Sequence, residues 1–208
     1  ESLGDWMGDV LYDELPEKGF ECRDEQIFMA YQIEKTLKER NVLFAEAGVG
    51  TGKTIAYLLP AIAYARYSGK PALIACADET LIEQLVKEAG DIFKLQNYLD
   101  IKIDVRLAKS RDQYLCLKRL EEAQKDDDNE YFLEEIEDQV PDFVYAHSSM
   151  QKIYPYGERS QFAGVSDEDW QKVNYHPTQQ CMVCDLRNRC GQTIHRQHYR
   201  ESTDLIIC

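Results

Sequence analysis

The chain has 208 residues, 44% of them hydrophobic and 30% charged, with a formal net charge of −14. That length and apolar content are enough for one well-buried domain, or for one domain carrying a smaller insert, and they exclude global disorder. No run of about 18 apolar residues occurs, so nothing is expected to span a membrane, and the opening ESLGDWMGDV has acid where a secretory signal has Lys or Arg.

Residues 1–20 read as an irregular lead-in containing Trp6, Tyr12 and Phe20. From Asp24 to Glu39, Ile27, Ala30, Ile33 and Leu37 fall on one helical face. VLFAE, 42–46, predicts a short buried strand, followed by a Gly-rich turn and a helix from about Lys53 to Tyr67, which Pro60 should kink or end. ALIACA, 72–77, predicts a second buried strand. Thr80 to Glu83 has the Ser/Thr-x-x-Glu spacing of a helix start, continued through Leu81, Leu85, Ala89 and Ile92. IKIDVRL, 101–107, predicts a third strand. This β-α-β-α-β order implies a parallel sheet covered by helices. From about 110 to 200 the strand signal fades into acid runs, tyrosines and clustered cysteines, which predicts a largely helical insert. DLIIC, 204–208, reads as a returning strand.

The acidity is local. Residues 121–142 hold eleven acids and one Lys, a net of −10, which leaves −4 for the rest. A solvated face or loop accounts for that run better than a binding site does. The average charge therefore excludes little about the remaining surface.

EAGVGTGKT, 46–54, sits between the first predicted strand and the next helix. Gly48, Gly50 and Gly52, with Val49 and Thr51 between them, let the backbone turn tightly and approach a phosphate. The following helix points its N-terminal N–H groups at the same anion. Lys53 can reach the outer phosphates of ATP, and the Thr54 hydroxyl can ligate Mg²⁺. Ala47 stands where the strict pattern has Gly. Hydrolysis also needs an acid on a neighbouring strand. Asp78-Glu79 is a candidate, but the helix start at that position is the stronger reading. No other apolar run ends in Asp-Glu, so the chain is expected to stop before its catalytic acid.

Seven cysteines, an odd number, suggest metal or redox chemistry in a cytoplasmic protein before they suggest disulfides. Cys181, Cys184 and Cys190 are separated by two and five residues, and Cys116 is the best fourth ligand. With one CxxC only, and with His195 and His198 too close for the usual zinc-finger spacing, an iron–sulfur cluster is modestly favoured over zinc. Cys22, Cys76 and Cys208 read as small buried hydrophobes. Lys109, Arg111, Lys118 and Arg119 flank Cys116, and Arg187, Arg189, Arg196 and Arg200 follow the later cysteines. With Tyr114, Tyr175 and Tyr199 they make this region the best nucleic-acid candidate, although cluster compensation and packing explain any one of them equally well.

The order of these motifs resembles the iron–sulfur superfamily 2 DNA helicases of the DinG/XPD type, and most of all the bacterial DinG branch. Arg23-Asp24-Glu25-Gln26 is similar to the family segment whose Gln reads adenine. Glu46 to Thr54 resembles motif I, and Thr80 to Leu85 resembles motif Ia, which lines the DNA path. Lys109 to Cys116 is similar to the segment supplying the first cluster ligand. Asp204 to Ile207 resembles the strand that leads into an Asn-His pair. The Cys76 to Glu79 stretch departs from the Thr/Asn-rich segment expected before motif Ia.

The resemblance implies a partial RecA-like α/β fold of the P-loop NTPase type. Motor domain 1 would occupy 1–109, a mainly helical iron–sulfur insert 110–200, and a return strand 201–208. It implies a [4Fe–4S] cluster on Cys116, Cys181, Cys184 and Cys190, and ATP and Mg²⁺ on Gly48 to Thr54 with Gln26 on the base. The implied activity is ATP-dependent 5′-to-3′ unwinding of DNA in a DNA-repair setting, acting at a junction of single strand and duplex. The insert is expected to be a wedge or strand guide, stapled by the cluster, so that Cys184→Ser would unfold it. By the same resemblance the 208 residues are an N-terminal portion lacking motif II and the second motor domain. They are expected to be inactive alone and monomeric. Two other classes fit the residues: a zinc-containing nucleic-acid-binding module with a vestigial phosphate loop, and a small P-loop phosphotransferase using Asp78-Glu79.

Overall fold

The computed structural model describes residues 2–48, 52–137, 157–176, 180–190, 196–197 and 199–208. The chain divides into two compact units, residues 1–105 with 202–208, and residues 106–201.

The first unit opens with helix, not with the irregular lead-in expected. Helix α1, Leu3–Asp9, runs through a π-helical turn, Val10–Glu14, into α2, Leu15–Glu17. Ser2 accepts from the Asp5 N–H and the Asp5 carboxylate accepts from the Ser2 N–H, a reciprocal cap. Leu3, Met7, Val10, Leu11 and Leu15 are buried, so the run is amphipathic. Helix α3 is Asp24–Glu39, as the spacing predicts.

Helix α4, Lys53–Ser68, continues through Pro60. An interior proline costs about 3 kcal/mol. Here Pro60 is one of eight buried residues in the helix, whose packing offsets the missing N–H.

The sheet has three short strands: β1, Ala72–Ile74, β2, Val105–Leu107, and β3, Leu205–Ile207, in the order β1-β3-β2. β1 and β3 run parallel, with Ala72 opposite Leu205. The returning strand is therefore where the sequence placed it. The expected strand at 42–46 is not formed. Val42 is 81% and Phe44 95% exposed. No described strand pairs with this segment, and an apolar strand without a neighbour has nothing to be buried against. β1 is shorter and more open than expected, for the same reason: β3 covers one edge only, and Leu73 is 65% exposed.

Helix α5, Glu79–Val86, is capped by Asp78, whose Oδ1 accepts the Leu81 N–H at 2.9 Å. It does not continue to Ile92. The chain turns at Ala89, φ +61°, and restarts as α6, Asp91–Leu99. Gly90 is required there, since a Cβ would lie 2.7 Å from the Gln84 carbonyl oxygen.

Asp204 ties α4 to the sheet. Its carboxylate accepts from Arg66 Nε at 3.1 Å and from the Asp104 N–H at 2.8 Å, while Arg66 Nη2 donates to the Lys102 carbonyl at 2.8 Å. Asp204→Ala is expected to cost about 1.5–3 kcal/mol, the range for hydrogen bonds to a charged group. Urea unfolding of the first unit checks this.

The second unit has its own core. Leu115, Leu117, Leu120, Ala123, Phe132, Leu133, Ile136, Phe162, Val165, Trp170 and Val173 are all buried. They come mainly from α7, Leu117–Ala123, α8, Glu130–Glu137, and α9, Asp167–Val173. Two antiparallel bridges, Tyr114 with Glu158 and Leu115 with Asn174, hold the start of α7 against later chain. Lys109 and Glu158 form a buried ion pair at 2.9 Å.

Asp169 is held by Lys172 Nζ at 2.8 Å, the Tyr131 hydroxyl at 2.5 Å and the Ser166 hydroxyl at 2.7 Å. Lys172 first, then the two hydroxyls, draw its carboxyl down to about 2. A depressed carboxylate stabilises the fold above its ordinary pKa. That contribution is lost as pH falls from about 4 towards 2. Asp169→Asn should flatten acid unfolding in that window, followed by tryptophan fluorescence.

Candidate nucleotide loop and cysteine site

Each candidate site lies in one unit. The nucleotide loop belongs to the first. Val49, Gly50 and Thr51 lie outside the described residues, whereas Gly48, Gly52, Lys53 and Thr54 are described. Gly52 is the N-cap of α4, with φ +70° and ψ 41°. The helix therefore begins directly at Lys53, with that side chain exposed and Thr54 half-buried. Sixteen residues of helix behind this point give it the positive N-terminal end that favours an anion.

Gln26 meets the loop. Its Nε2 donates to the Gly52 carbonyl at 2.9 Å, and its Oε1 accepts the Arg23 N–H at 2.8 Å. Sequence reasoning saw Gln26 only as a base reader; its structural bond to Gly52, 26 residues away, carries no local signal. A Cβ at residue 52 would lie 2.0 Å from Gln26 Nε2. Gly52→Ala therefore combines left-handed strain of about 1–2 kcal/mol with loss of a hydrogen bond worth about 1 kcal/mol. A stability loss near 2–3 kcal/mol in the first unit, by thermal melting, is the expected outcome. Beside the loop, Asp24, Phe28, Met29 and residues 43–48 line a groove of about 730 Å³.

The Asp78 carboxylate accepts the Leu81 N–H as the α5 cap, which agrees with a helix start at this position, and Glu79 is the first residue of that helix.

The cysteine site belongs to the second unit. Cys116 is buried at the N-cap of α7, with its N–H donating to the Val173 carbonyl at 2.8 Å. Cys181 opens the 3₁₀ turn Cys181–Val183, Cys184 closes it, and Cys190 closes the next turn, Arg187–Arg189. All four cysteines line one cavity of about 210 Å³, together with Leu117, Lys118, Tyr175 and Leu186. Burial pushes the Cys116 thiol up; backbone donors from Arg119 and Lys118 oppose this, and the neighbouring Cys181 and Cys184 add to it. Among the described residues, no three His, Cys, Asp or Glu side chains form a group able to hold a single metal ion. His195 and His198 lie outside the described residues.

Cys22, Cys76 and Cys208 are half-buried, not fully buried as expected. They sit at the ends of elements, where one side stays open to water.

The basic groups divide. Arg119 Nη1 donates to the Asn174 carbonyl and Oδ1, and Lys109 pairs with buried Glu158, so both hold the unit together. Tyr114 is fully buried and cannot stack on a base. Arg111 lies 5.7 Å over the Tyr175 ring, which borders the cavity. Arg187 lies beside Met182, with Nη1 3.7 Å from Sδ.

Comparison with known proteins adds an independent line. Residues 29–127 match the family described as DEAD/DEAH box helicase. Over all 208 residues the chain is 60% identical to the probable ATP-dependent helicase YpvA of Bacillus subtilis, of which it covers 32%. It is 39% identical over 106 residues, 51% of the chain, to the ATP-dependent DNA helicase YoaA of Haemophilus influenzae, covering 16% of that protein. The 3′-5′ exonuclease DinG of Bacillus subtilis matches 113 residues, 54% of the chain, at 31% identity, and 12% of that protein is covered. The chain thus spans a third or less of the length of these relatives. No described helix is long and apolar enough to cross a membrane.

Proposed function

We propose that this chain, whose residues 29–127 match the family described as DEAD/DEAH box helicase, is the nucleotide-gripping part of an ATP-dependent DNA helicase that carries a [4Fe–4S] cluster. The observation that carries the finer half of this reading is one cavity lined by four cysteines, one of them far upstream of the other three.

The first unit would act as the part of motor domain 1 that holds ATP. The start of α4 supplies N–H donors and a positive dipole end to the phosphates. Lys53 neutralises the β- and γ-phosphates, and Thr54 holds Mg²⁺. Gln26 uses one amide N–H and one carbonyl lone pair on the chain, which leaves one of each for the edge of an adenine. The groove beside Phe28 and Met29 has room for the base.

The donor set fits an iron–sulfur cluster. Four thiols and no carboxylate other than Asp185 line the cavity, and Lys118 and Arg187 there balance thiolate charge. A tetrahedral zinc ion would draw its sulfurs to about 3.8 Å from one another, from Zn–S bonds of about 2.3 Å. The uneven spacing, one CxxC with a third and a remote fourth thiol, supports the multi-atom centre. When bound, that centre supplies a covalent staple between α7 and residues 181–190. The second unit would be the strand guide beside the motor, contacting single-stranded DNA and the duplex junction, with 5′-to-3′ movement as the resemblance implies.

DNA-stimulated ATP hydrolysis tests the reading. In a protein of the relatives' length carrying this segment, Lys53→Ala should lower turnover about 100-fold or more, since electrostatic stabilisation of the phosphoryl group is the main catalytic term. Full turnover in that variant would overturn the assignment of the loop. Residues 1–208 alone are expected to show no DNA-stimulated turnover.

A further inference from the structure

The pairing that fixes Cys116 also places an aromatic side chain beside it. The Cys116 N–H donates to the Val173 carbonyl and the Tyr175 N–H to the Tyr114 carbonyl, both at 2.8 Å, on either side of the antiparallel bridge between Leu115 and Asn174. Residues two apart on a strand share a face. Cys116 and Tyr175 therefore lie on one face of this short ladder as diagonal neighbours, a separation that an aromatic side chain can span. Tyr175 does line the cysteine cavity, and among the described residues it is the one aromatic side chain that does so.

The ring is held in place. Arg111 Nη1 donates to the Tyr175 hydroxyl at 3.3 Å, and the Arg111 guanidinium lies 5.7 Å over the ring. With the main-chain bond to Tyr114, the residue is fixed at both its backbone and its tip. The thiols differ in cover. Cys116, on the face it shares with Tyr175, is buried, whereas Cys181, Cys184 and Cys190 are half-buried. The apolar shell of a metal site controls the access of water and of competing ligands. A clamped ring at the rim of the thiol site is such a shell element.

We infer that Tyr175 is the cover of the thiol site: its ring keeps solutes from the metal centre, so that iron leaves only when residues 180–190 open. The inference rests on the iron–sulfur reading above. It gives Tyr175 a task separate from contact with nucleic acid, and Arg111 the task of holding the ring in position.

The test is the removal of iron by EDTA, without oxygen, from the chain loaded with iron and sulfide. In the wild-type chain the rate of iron loss should level off as EDTA is raised, because opening of the segment limits it. In Tyr175→Ala the chelator reaches the centre directly, so the rate should keep rising with EDTA and exceed wild type by about tenfold or more. Tyr175→Phe keeps the ring and should stay within about twofold of wild type. A fold that is merely weakened in Tyr175→Ala would raise the plateau without removing it, so a rate that still levels off in this variant would overturn the inference. So would a Tyr175→Phe chain stripped as fast as the Ala variant. If Tyr175→Ala takes up no iron, Tyr175→Leu, which keeps apolar bulk without the flat ring, replaces it with the same expected and contradicting results. A wild-type chain that takes up no iron and sulfide contradicts the iron–sulfur reading itself, an outcome separate from unchanged stripping in the variant.

Discussion

Cys184→Ser should release residues 180–190 and leave the core of the second unit folded. The turns Cys181–Val183 and Arg187–Arg189 contain no buried residue. In this stretch only Leu186 packs against the core, and only partly. A segment with so few apolar contacts opens at little cost unless something else holds it. Thiolate bonds to a metal centre, worth many kcal/mol, are what we propose holds it. Their loss should speed hydrogen exchange at the Val183, Arg187, Arg189 and Cys190 amides by about two orders of magnitude or more. The Cys116, Leu120 and Trp170 amides, which bond within the core region, should keep their protection. Unchanged protection over 180–190 would mean that no cluster staples it. This narrows the sequence expectation, in which the variant unfolds the whole insert. That expectation assumed a modest core, whereas eleven buried side chains form it among the described residues.

Trp170→Ala should do the opposite and dismantle that core. Trp170 is 4% exposed and stacks on fully buried Phe162, with ring centroids 5.6 Å apart and planes 28° apart. Its Nε1 donates to the Asp112 carbonyl at 3.0 Å, and Arg159 lies 5.3 Å over its ring. Truncating a buried Trp to Ala costs about 3–5 kcal/mol. That is a large share of the roughly 5–15 kcal/mol that holds a domain. The melting temperature of the second unit should fall by about 15 °C or more. Iron should be lost as well, because Cys116 sits between core residues Leu115 and Leu117. A fall of under about 3 °C would contradict this account of the core.

What could be read from the sequence followed from strong local patterns. Helix α3 matched its spacing at both ends, and the apolar run at 205–207 returned to the sheet. A helix start near residue 80 was legible, but the Thr80-to-Glu83 spacing pointed to a cap two residues later than Asp78, where the structure has it. The strand at 42–46 was misread because an apolar run says that burial is favourable, not that a partner strand lies beside it. The lead-in was misread although Ser2 and Asp5 carry a capping-box spacing, since its apolar positions pass through a π turn that shifts their period. Pro60 was overweighted, as tertiary packing outweighs a single missing donor. At the candidate sites, the residue types and spacings of the thiols and the loop were legible. The Gln26–Gly52 bond, the burial of Tyr114 and the structural use of Lys109 and Arg119 were not, because each depends on chain distant in sequence.

The central claim is that Cys116 and the Cys181, Cys184, Cys190 trio hold one iron–sulfur centre. Iron and acid-labile sulfide, quantified on chain purified without oxygen, test it most directly. The account predicts about four of each per chain, and a near-complete loss of both in Cys116→Ser. One zinc per chain, or iron content unchanged by Cys116→Ser, would contradict it.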